Sequence, residues 1–381
     1  MTPPSGADLT RPQQAITRRT FFGRMGSLAV GLTFMPLAGC ENNAFEPVIE
    51  GADLPFLTPN TSFYLQFGAE GAVSGWGGVP ALSNEDWSLT LDGRFDRPLT
   101  LRLSDLQAEV PTTFLATLRC IVNSNAVPGL VGTAAWTGVP LRLFLERAGL
   151  DNVQTRHLHV YGADGFTDNL RPDILFGPRL ETLPEPMLVY AMNGQPLQPG
   201  HGAPVRLLVP GHFGYKSVKW VTRIEATNDD AVFGSYQNVL GYADNGRIRV
   251  DTKVTSLLRS ALIQPGPSLL SGFALSGAGA IRAVDIAFDE APYRPARLVS
   301  LREIAAIDPD IRSTVQITEP GRYPYPFPGV WTPWDYRWTA NEGTHRLRIR
   351  ATDEAGETQP AIDTDPTDGE NPIFELQVRV A

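Results

Sequence analysis

The chain carries two cysteines, Cys40 and Cys120. Cys40 ends an N-terminal processing motif, L-A-G-C, and Cys120 then stands without a disulfide partner in an exported, oxidising setting. A lone thiol there has two readings: a small buried hydrophobe, or a thiolate protected by bonding to a metal. The histidines do not offer a zinc site of their own. His157 and His159 share a strand face at i, i+2, but no Glu, Cys or third His follows at zinc-ligand spacing. The chain also lacks a C-x-x-C-H haem motif and a flavin fingerprint. Redox chemistry at Cys120 therefore needs a separate electron-transfer partner, cytochrome-linked or quinone-linked.

The elements that must position Cys120 are mixed. Residues 87–93, W-S-L-T-L-D-G, alternate apolar and polar and close on a turn, which predicts a strand. Residues 140–149 give the clearest helix, with Leu141, Phe144, Leu145 and Ala148 at i, i+3, i+4 and i+7, Pro at the start and Gly at the end. A short buried strand is expected over 203–211, and 214–225 continue into another. From about Asp251 the texture changes to short alternating strands, such as Val284, Ile286 and Phe288, then Leu347, Ile349 and Ala351, which suggests an immunoglobulin-type β-sandwich. The aromatic and proline-rich stretch 323–338 reads as packing between domains or subunits, or as a sugar-binding surface with Trp331, Trp334 and Trp338 exposed.

The spaced motifs resemble a known family. T-L-R-C-I-V-N (117–123), A-W-T-G-V-P-L (135–141), H-G-A-P-V-R (201–206) and P-G-H-F-G-Y-K-S-V-K-W (210–220) are similar to the molybdenum-cofactor domain of the sulfite oxidase family, in that order. G-R-I-R-V-D-T (246–252) and A-T-D-E-A-G-E-T-Q-P (351–360) look like its dimerisation domain. The resemblance implies an α+β fold: a sulfite-oxidase-type molybdopterin-binding catalytic domain over 61–245, then an immunoglobulin-like dimerisation domain over 246–381. It implies Mo-molybdopterin as cofactor and Cys120 as the metal ligand and catalytic residue. An anionic cofactor wants fixed donors. The matching positions are Arg206, Lys219, His201, the backbone near Ser217 and Val218, Asp164, and Tyr64 and Gln66 in F-Y-L-Q-F.

Departures from the family fall on its oxyanion-binding positions. Its F-x-R-N-H reads F-Y-L-Q-F (63–67), so Leu65 replaces an arginine, and its C-x-G-N-R-R reads C-I-V-N-S-N (120–125), so Asn125 replaces another. The tyrosine expected near the metal corresponds to Phe166. Each lost charge-assisted bond is worth roughly 1.5–3 kcal/mol, which argues against a typical sulfite oxidase and toward oxygen-atom transfer on a small or sulfoxide-type substrate. The exported methionine sulfoxide reductases of the same superfamily are similar in using one cysteine on molybdenum, although most lack a long second β domain. Sulfite oxidation and a non-enzymatic cell-surface binding lipoprotein are the alternatives.

The N-terminus sets the compartment. T-R-R-T-F-F-G (17–23), with Arg18 and Arg19, precedes an apolar run over 28–38, the layout of a twin-arginine export signal. L-A-G-C (37–40) resembles a bacterial lipobox. Residues 1–39 are then a removed signal, Cys40 is the lipidation site, and 40–60 form a tether from a membrane lipid anchor on the periplasmic side. Of 381 residues 42% are hydrophobic and 19% charged, which excludes a disordered chain. The net charge of -9 argues against nucleic acid as a partner.

Overall fold

A computed structural model describes residues 56–65, 78–123, 129–150, 155–176, 181–257, 262–363, 365 and 368–381. The signal 1–39, the lipidation site Cys40, most of the 40–60 tether, Gln66 and Asn125 lie outside the described residues.

The α+β expectation holds, with four sheets and short helices. One five-stranded sheet runs Leu99–Arg102, Ser88–Gly93, Val221–Thr227, His157–Gly162, Thr167–Leu170, with a parallel pair between Ser88–Gly93 and Val221–Thr227. Its inward residues, among them Leu89, Leu91, Leu158, Val160 and Ile224, pack on the helix Leu141–Arg147 through Leu141, Phe144 and Leu145. The apolar spacing read from 140–149 is thus the buried face of that helix.

A second sheet is built from Thr112–Arg119, Val131–Pro140, Met187–Met192, Gln195–Pro196 and Arg206–Leu208. The strand expected over 203–211 shortens to Arg206–Leu208, between the turn Pro199–His201 and a second turn in which His212 N–H donates to Val209 O at 3.3 Å. Thr112–Arg119 is the strand that ends at Cys120. Its pleat sends Phe114, Ala116 and Leu118 to one side, against Phe63 and Trp136, and Leu115 to the other, against Phe273, Phe327 and Trp331.

The remaining two sheets, Asp251–Val254 with Gly266–Leu275, Thr332–Ala340 and Arg297–Leu298, and Leu262–Ile263 with Phe374–Val380, Gly343–Asp353, Ile281–Phe288 and Arg294–Pro295, pack face to face. Leu270, Ala274 and Trp334 of the first meet Val284, Ile286, Leu347, Ile349 and Phe374 of the second, which makes a β-sandwich.

The aromatic stretch 323–338 is internal packing. Trp331 and Trp334 are buried, donating their indole N–H groups to Phe56 O at 3.1 Å and Thr252 Oγ1 at 3.0 Å, and Trp338 stacks on Phe288 with centroids 4.3 Å apart. A sugar-binding surface built on these three indoles is therefore corrected: Trp331 and Trp334 are buried, and the half-buried Trp338 is stacked on Phe288. No helix among the described residues is long and apolar enough to cross a membrane.

Candidate active site

Cys120 sits one residue past the end of Thr112–Arg119. Its N–H donates to Leu130 O at 2.9 Å, and its carbonyl accepts from Asn123 N–H at 3.0 Å, so the backbone turns tightly at the thiol. Burial pushes the thiol up to about 11, against the opposing pull of the Val122 N–H, the Arg119 charge and the Ile121 N–H. The sulfur is neutral at physiological pH unless a cation takes the thiolate, as metal coordination does. Among the described residues no group of three or more His, Cys, Asp or Glu is arranged to hold a metal ion. Cys120 is thus a single protein sulfur rather than one member of a protein-built metal cage.

The cations the sequence singles out come together. The Arg206 guanidinium is buried and donates to His201 O at 3.0 Å and Ser217 O at 2.9 Å, lies over the Trp136 ring at 5.4 Å, and keeps an Nε without a partner among the described residues. Lys219 donates to Gly200 O at 2.8 Å. Burial, with Arg206 adding repulsion and Asp164 relief, brings Lys219 down to about 7, and burial lowers Arg206 to about 10. Buried cations this close cost stability unless an anion joins them. Gly202 lets them approach. Its φ is +106°, and a Cβ there would lie 3.0 Å from Arg206 Cβ and 3.1 Å from Lys219 Cβ.

The other expected positions divide. Asp164 is buried, accepts from Phe166 N–H at 3.1 Å, and is held above the usual carboxylate range by that burial. His201 places its Nε2 at 2.9 Å from Asn60 O, so that ring nitrogen holds the segment carrying Tyr64, and burial lowers its pKa. Ser217 serves its own turn: its N–H donates to Gly214 O at 3.1 Å and its hydroxyl accepts from Val209 N–H at 3.0 Å. Val218 is buried in the main core. Tyr64 stacks on Phe63 at 5.5 Å and reaches toward Gly214, where a Cβ would lie 2.8 Å from its hydroxyl. Burial first, then the Cys120 charge, raises the Tyr64 phenol far above its ordinary value.

Sequence reading missed the wall beside Cys120. Ile121 and Val122 pack in one cluster with Phe213, Tyr215, Tyr242, Tyr236 and Phe166. Tyr236 lies 5.5 Å from Phe166 and 5.5 Å from Tyr242, and both phenols are raised first by burial and next by Cys120. Phe166 thus packs edge-on against a tyrosine ring, Tyr236. The only sequence signal of Tyr236 and Tyr242 is a cluster of Tyr within S-Y-Q-N-V-L-G-Y, residues 235–242.

Leu65, at the position of a family arginine, is 52% exposed. Arg119, the cation next to Cys120 in sequence, is buried and paired with Asp251 Oδ2 at 3.1 Å.

Comparison with known proteins places these features. Residues 76–233 match the model of the oxidoreductase molybdopterin binding domain. Sulfite oxidase of Gallus gallus is 30% identical over 278 residues, 64% of this chain and 59% of that protein. Inducible nitrate reductase [NADH] 2 of Glycine max is 33% identical over 210 residues, 50% of this chain and 22% of that protein. The chain thus spans less than two thirds of the length of either relative. Among solved structures, the sulfane dehydrogenase SoxCD of Paracoccus pantotrophus superposes with a TM-score of 0.68 at 22% identity, over 91% of this chain and 87% of that one, a likeness of fold.

Proposed function

The chain belongs to the sulfite oxidase family of molybdopterin-dependent oxidoreductases, whose cofactor is Mo-molybdopterin, and from that premise we propose oxygen-atom transfer on a neutral sulfoxide-type substrate. The residues fit the cofactor. Arg206 has no carboxylate within ion-pair distance among the described residues, its Nε is an orphaned buried donor, and Lys219 lies beside it. Such a pair suits the phosphate of a pterin. In this reading Cys120 would ligate the metal, Arg206, Lys219 and Asp164 would hold the cofactor, and His201 would steady the segment that carries Tyr64 through its bond to Asn60 O. When bound, the group supplies a Lewis-acidic metal that exchanges an oxygen atom and two electrons with substrate.

The observation that carries the substrate class is the wall. Among the described residues the side chains around Cys120 include Ile121, Val122, Phe166, Tyr64, Tyr236 and Tyr242, neutral groups whose phenols stay protonated, while Arg119 turns its Nη2 to Asp251 and keeps Nε and Nη1 without a hydrogen-bond partner among the described residues. A neutral oxide can accept a hydrogen bond from a phenol. A sulfite dianion wants guanidinium partners. Cofactor-loaded protein is expected to reduce methionine sulfoxide or dimethyl sulfoxide with a reduced viologen dye, and Cys120→Ser to lose at least about a hundredfold of that rate, as when a group essential to the reacting centre is removed. Sulfite-dependent cytochrome c reduction at rates exceeding sulfoxide turnover overturns the substrate assignment.

The proposal extends to the whole chain. A twin-arginine signal over 1–39 and lipidation of Cys40 put the protein on the periplasmic side of a membrane. Residues 246–381 form an immunoglobulin-like unit that dimerises, and a separate cytochrome or quinone-linked protein exchanges electrons with the site. Intact-mass analysis of detergent-extracted protein checks the first part, with a mature chain starting at a diacylated Cys40 expected and an unprocessed N-terminus contradicting it.

A further inference from the structure

The wall beside Cys120 hangs on a buried polar network that the cofactor and the thiol do not use. The short helix Ser235–Leu240, with Tyr236, and the following turn, with Tyr242, lie across the strand Thr167–Leu170. Three consecutive residues of that strand hold it. Thr167 N–H donates to Ser235 Oγ at 2.9 Å, Asp168 Oδ1 accepts from Gln237 Nε2 at 2.5 Å, and Asn169 Nδ2 donates to the Asp244 carboxylate at 3.0 Å. From the other side, Tyr215 OH donates to Ala243 O at 2.6 Å, and Lys216, with no exposed side-chain surface, sends its Nζ to Asp168 Oδ2 at 3.0 Å, to Asp244 O at 2.8 Å and to Asn169 O.

Lys216 is the centre of this arrangement. It belongs to the turn Gly214–Lys216, which runs directly into Ser217, Val218 and Lys219. One residue thus anchors both the cofactor-facing turn and the segment that carries the tyrosines. The helix is bracketed by glycines at positive φ, Gly234 at +129° and Gly241 at +70°, and a Cβ at Gly234 would sit 2.0 Å from Gln237 Oε1. A Cβ at Gly234 would displace the Gln237 amide from the place in which it bonds Asp168. A buried ion pair with an amide cap is an expensive way to hold a six-residue helix, and its best-attested use is to fix one arrangement among several.

We propose that Lys216, Asp168 and Gln237 are positioning residues: they set Tyr236 and Tyr242 against Ile121 and Val122 and so fix the shape of the substrate wall, and Gln237, whose side chain reaches Asp168 and not the cofactor-facing turn, does so without contributing to cofactor retention. The inference rests on Cys120 being the reacting centre. Gln237→Leu removes the amide bond and keeps the side-chain bulk. In cofactor-free protein, nitration of Tyr236 and Tyr242 by tetranitromethane, mapped by mass spectrometry, is expected to rise at least fivefold, by the order of magnitude that loss of a buried hydrogen bond gives. In loaded protein, molybdenum and pterin content stay at the wild-type level, KM for methionine sulfoxide rises about fivefold, and kcat changes less than about twofold. The pair Lys216→Met with Asp168→Asn is expected to shift the same quantities further; where it does not fold, Gln237→Leu and Ser235→Ala still decide. Wild-type nitration together with a wild-type KM in Gln237→Leu overturns the proposal, as does loss of molybdenum in step with the rise in KM. The nitration arm needs no metal, so wild-type protein that never takes up molybdenum sinks the functional reading and leaves this arm to be judged separately.

Discussion

Lys219 shows most directly how a residue can be costly to the empty protein and necessary to the loaded one. Its folded pKa of about 7 lies below the ordinary lysine value of 10.5, first because of burial and then because of Arg206. Between those values the unfolded chain binds more protons than the folded one, so stability rises with pH. The window ends near pH 9, the ordinary value of a thiol, because Cys120 is shifted the opposite way, to about 11, and its contribution is lost as pH rises beyond that point. Cofactor-free protein is therefore expected to unfold at a higher temperature at pH 9 than at pH 7. Lys219→Met flattens that slope and raises the pH 7 midpoint by about 2–4 °C, the shift a change of about 1 kcal/mol gives in a chain of this class. The same variant should fail to retain pterin, since half of the anion cradle is gone. Thermal unfolding at the two pH values and a pterin assay check both halves. A phosphate-bearing cofactor that keeps Lys219 protonated removes the slope from wild-type protein as well.

Individual elements were legible where local pattern and tertiary role agree. Leu141, Phe144 and Leu145 advertise a helix with one apolar face, and they bury it. Leu347, Ile349 and Ala351 alternate inward in Gly343–Asp353 for the same reason. The helix Ser235–Leu240 gives no such signal, because what holds it is Asp168, Thr167 and Lys216, contributed from remote positions in the chain. With it, Tyr236 and Tyr242 escaped sequence reading. Arg206, Lys219 and His201 were legible as a group because their motifs are contiguous, but the engagement of His201 Nε2 with Asn60 O depends on a contact across 141 residues. The turn Pro199–His201 tests this scale. Gly202→Ala has to adopt a left-handed φ and press on Arg206 and Lys219 together. It is expected to cost about 1–3 kcal/mol and to lower pterin occupancy more than Gly194→Ala, a control that shares the left-handed φ but has open space around its Cα. Equal occupancy in the two variants would mean that the cations do not depend on that close approach.

At the scale of the whole molecule, the strand that ends in Cys120 is covered along its outer edge at Leu115 and Thr117. Beyond its pairing with Val131–Pro140, its other edge is closed by groups from the far end of the chain. The Gln316 amide bonds both backbone groups of Leu115 at 3.1 Å, Thr117 N–H donates to Gly329 O at 3.0 Å, and Trp331 N–H donates to Thr117 Oγ1 at 2.9 Å. An unclosed edge there would be a site for pairing with another chain. Arg119 completes the closure. Its Nη2 reaches Asp251 at 3.1 Å and Asn371 Oδ1 at 2.9 Å, both in the sandwich half, and also Asn123 O at 2.9 Å in the turn around the thiol. The sandwich is thus part of what fixes Cys120, whatever else it binds. Asp251 also takes Lys253 Nζ at 3.3 Å, so removing Arg119 leaves the carboxylate one cation, whereas removing Asp251 leaves the buried Arg119 uncompensated, by about 3–5 kcal/mol, and replacing both with apolar groups is often close to neutral. Arg119→Met and Asp251→Leu are each expected to lower the thermal midpoint of cofactor-free protein by several degrees, and the double variant to recover most of the loss. If the pair only stabilises the fold, molybdenum content follows the midpoint in all three proteins. Since Arg119 also holds the Asn123 carbonyl, the double variant is instead expected to regain stability without regaining full molybdenum content. Full recovery of both would confine Arg119 to the fold and separate the sandwich from the geometry of the thiol.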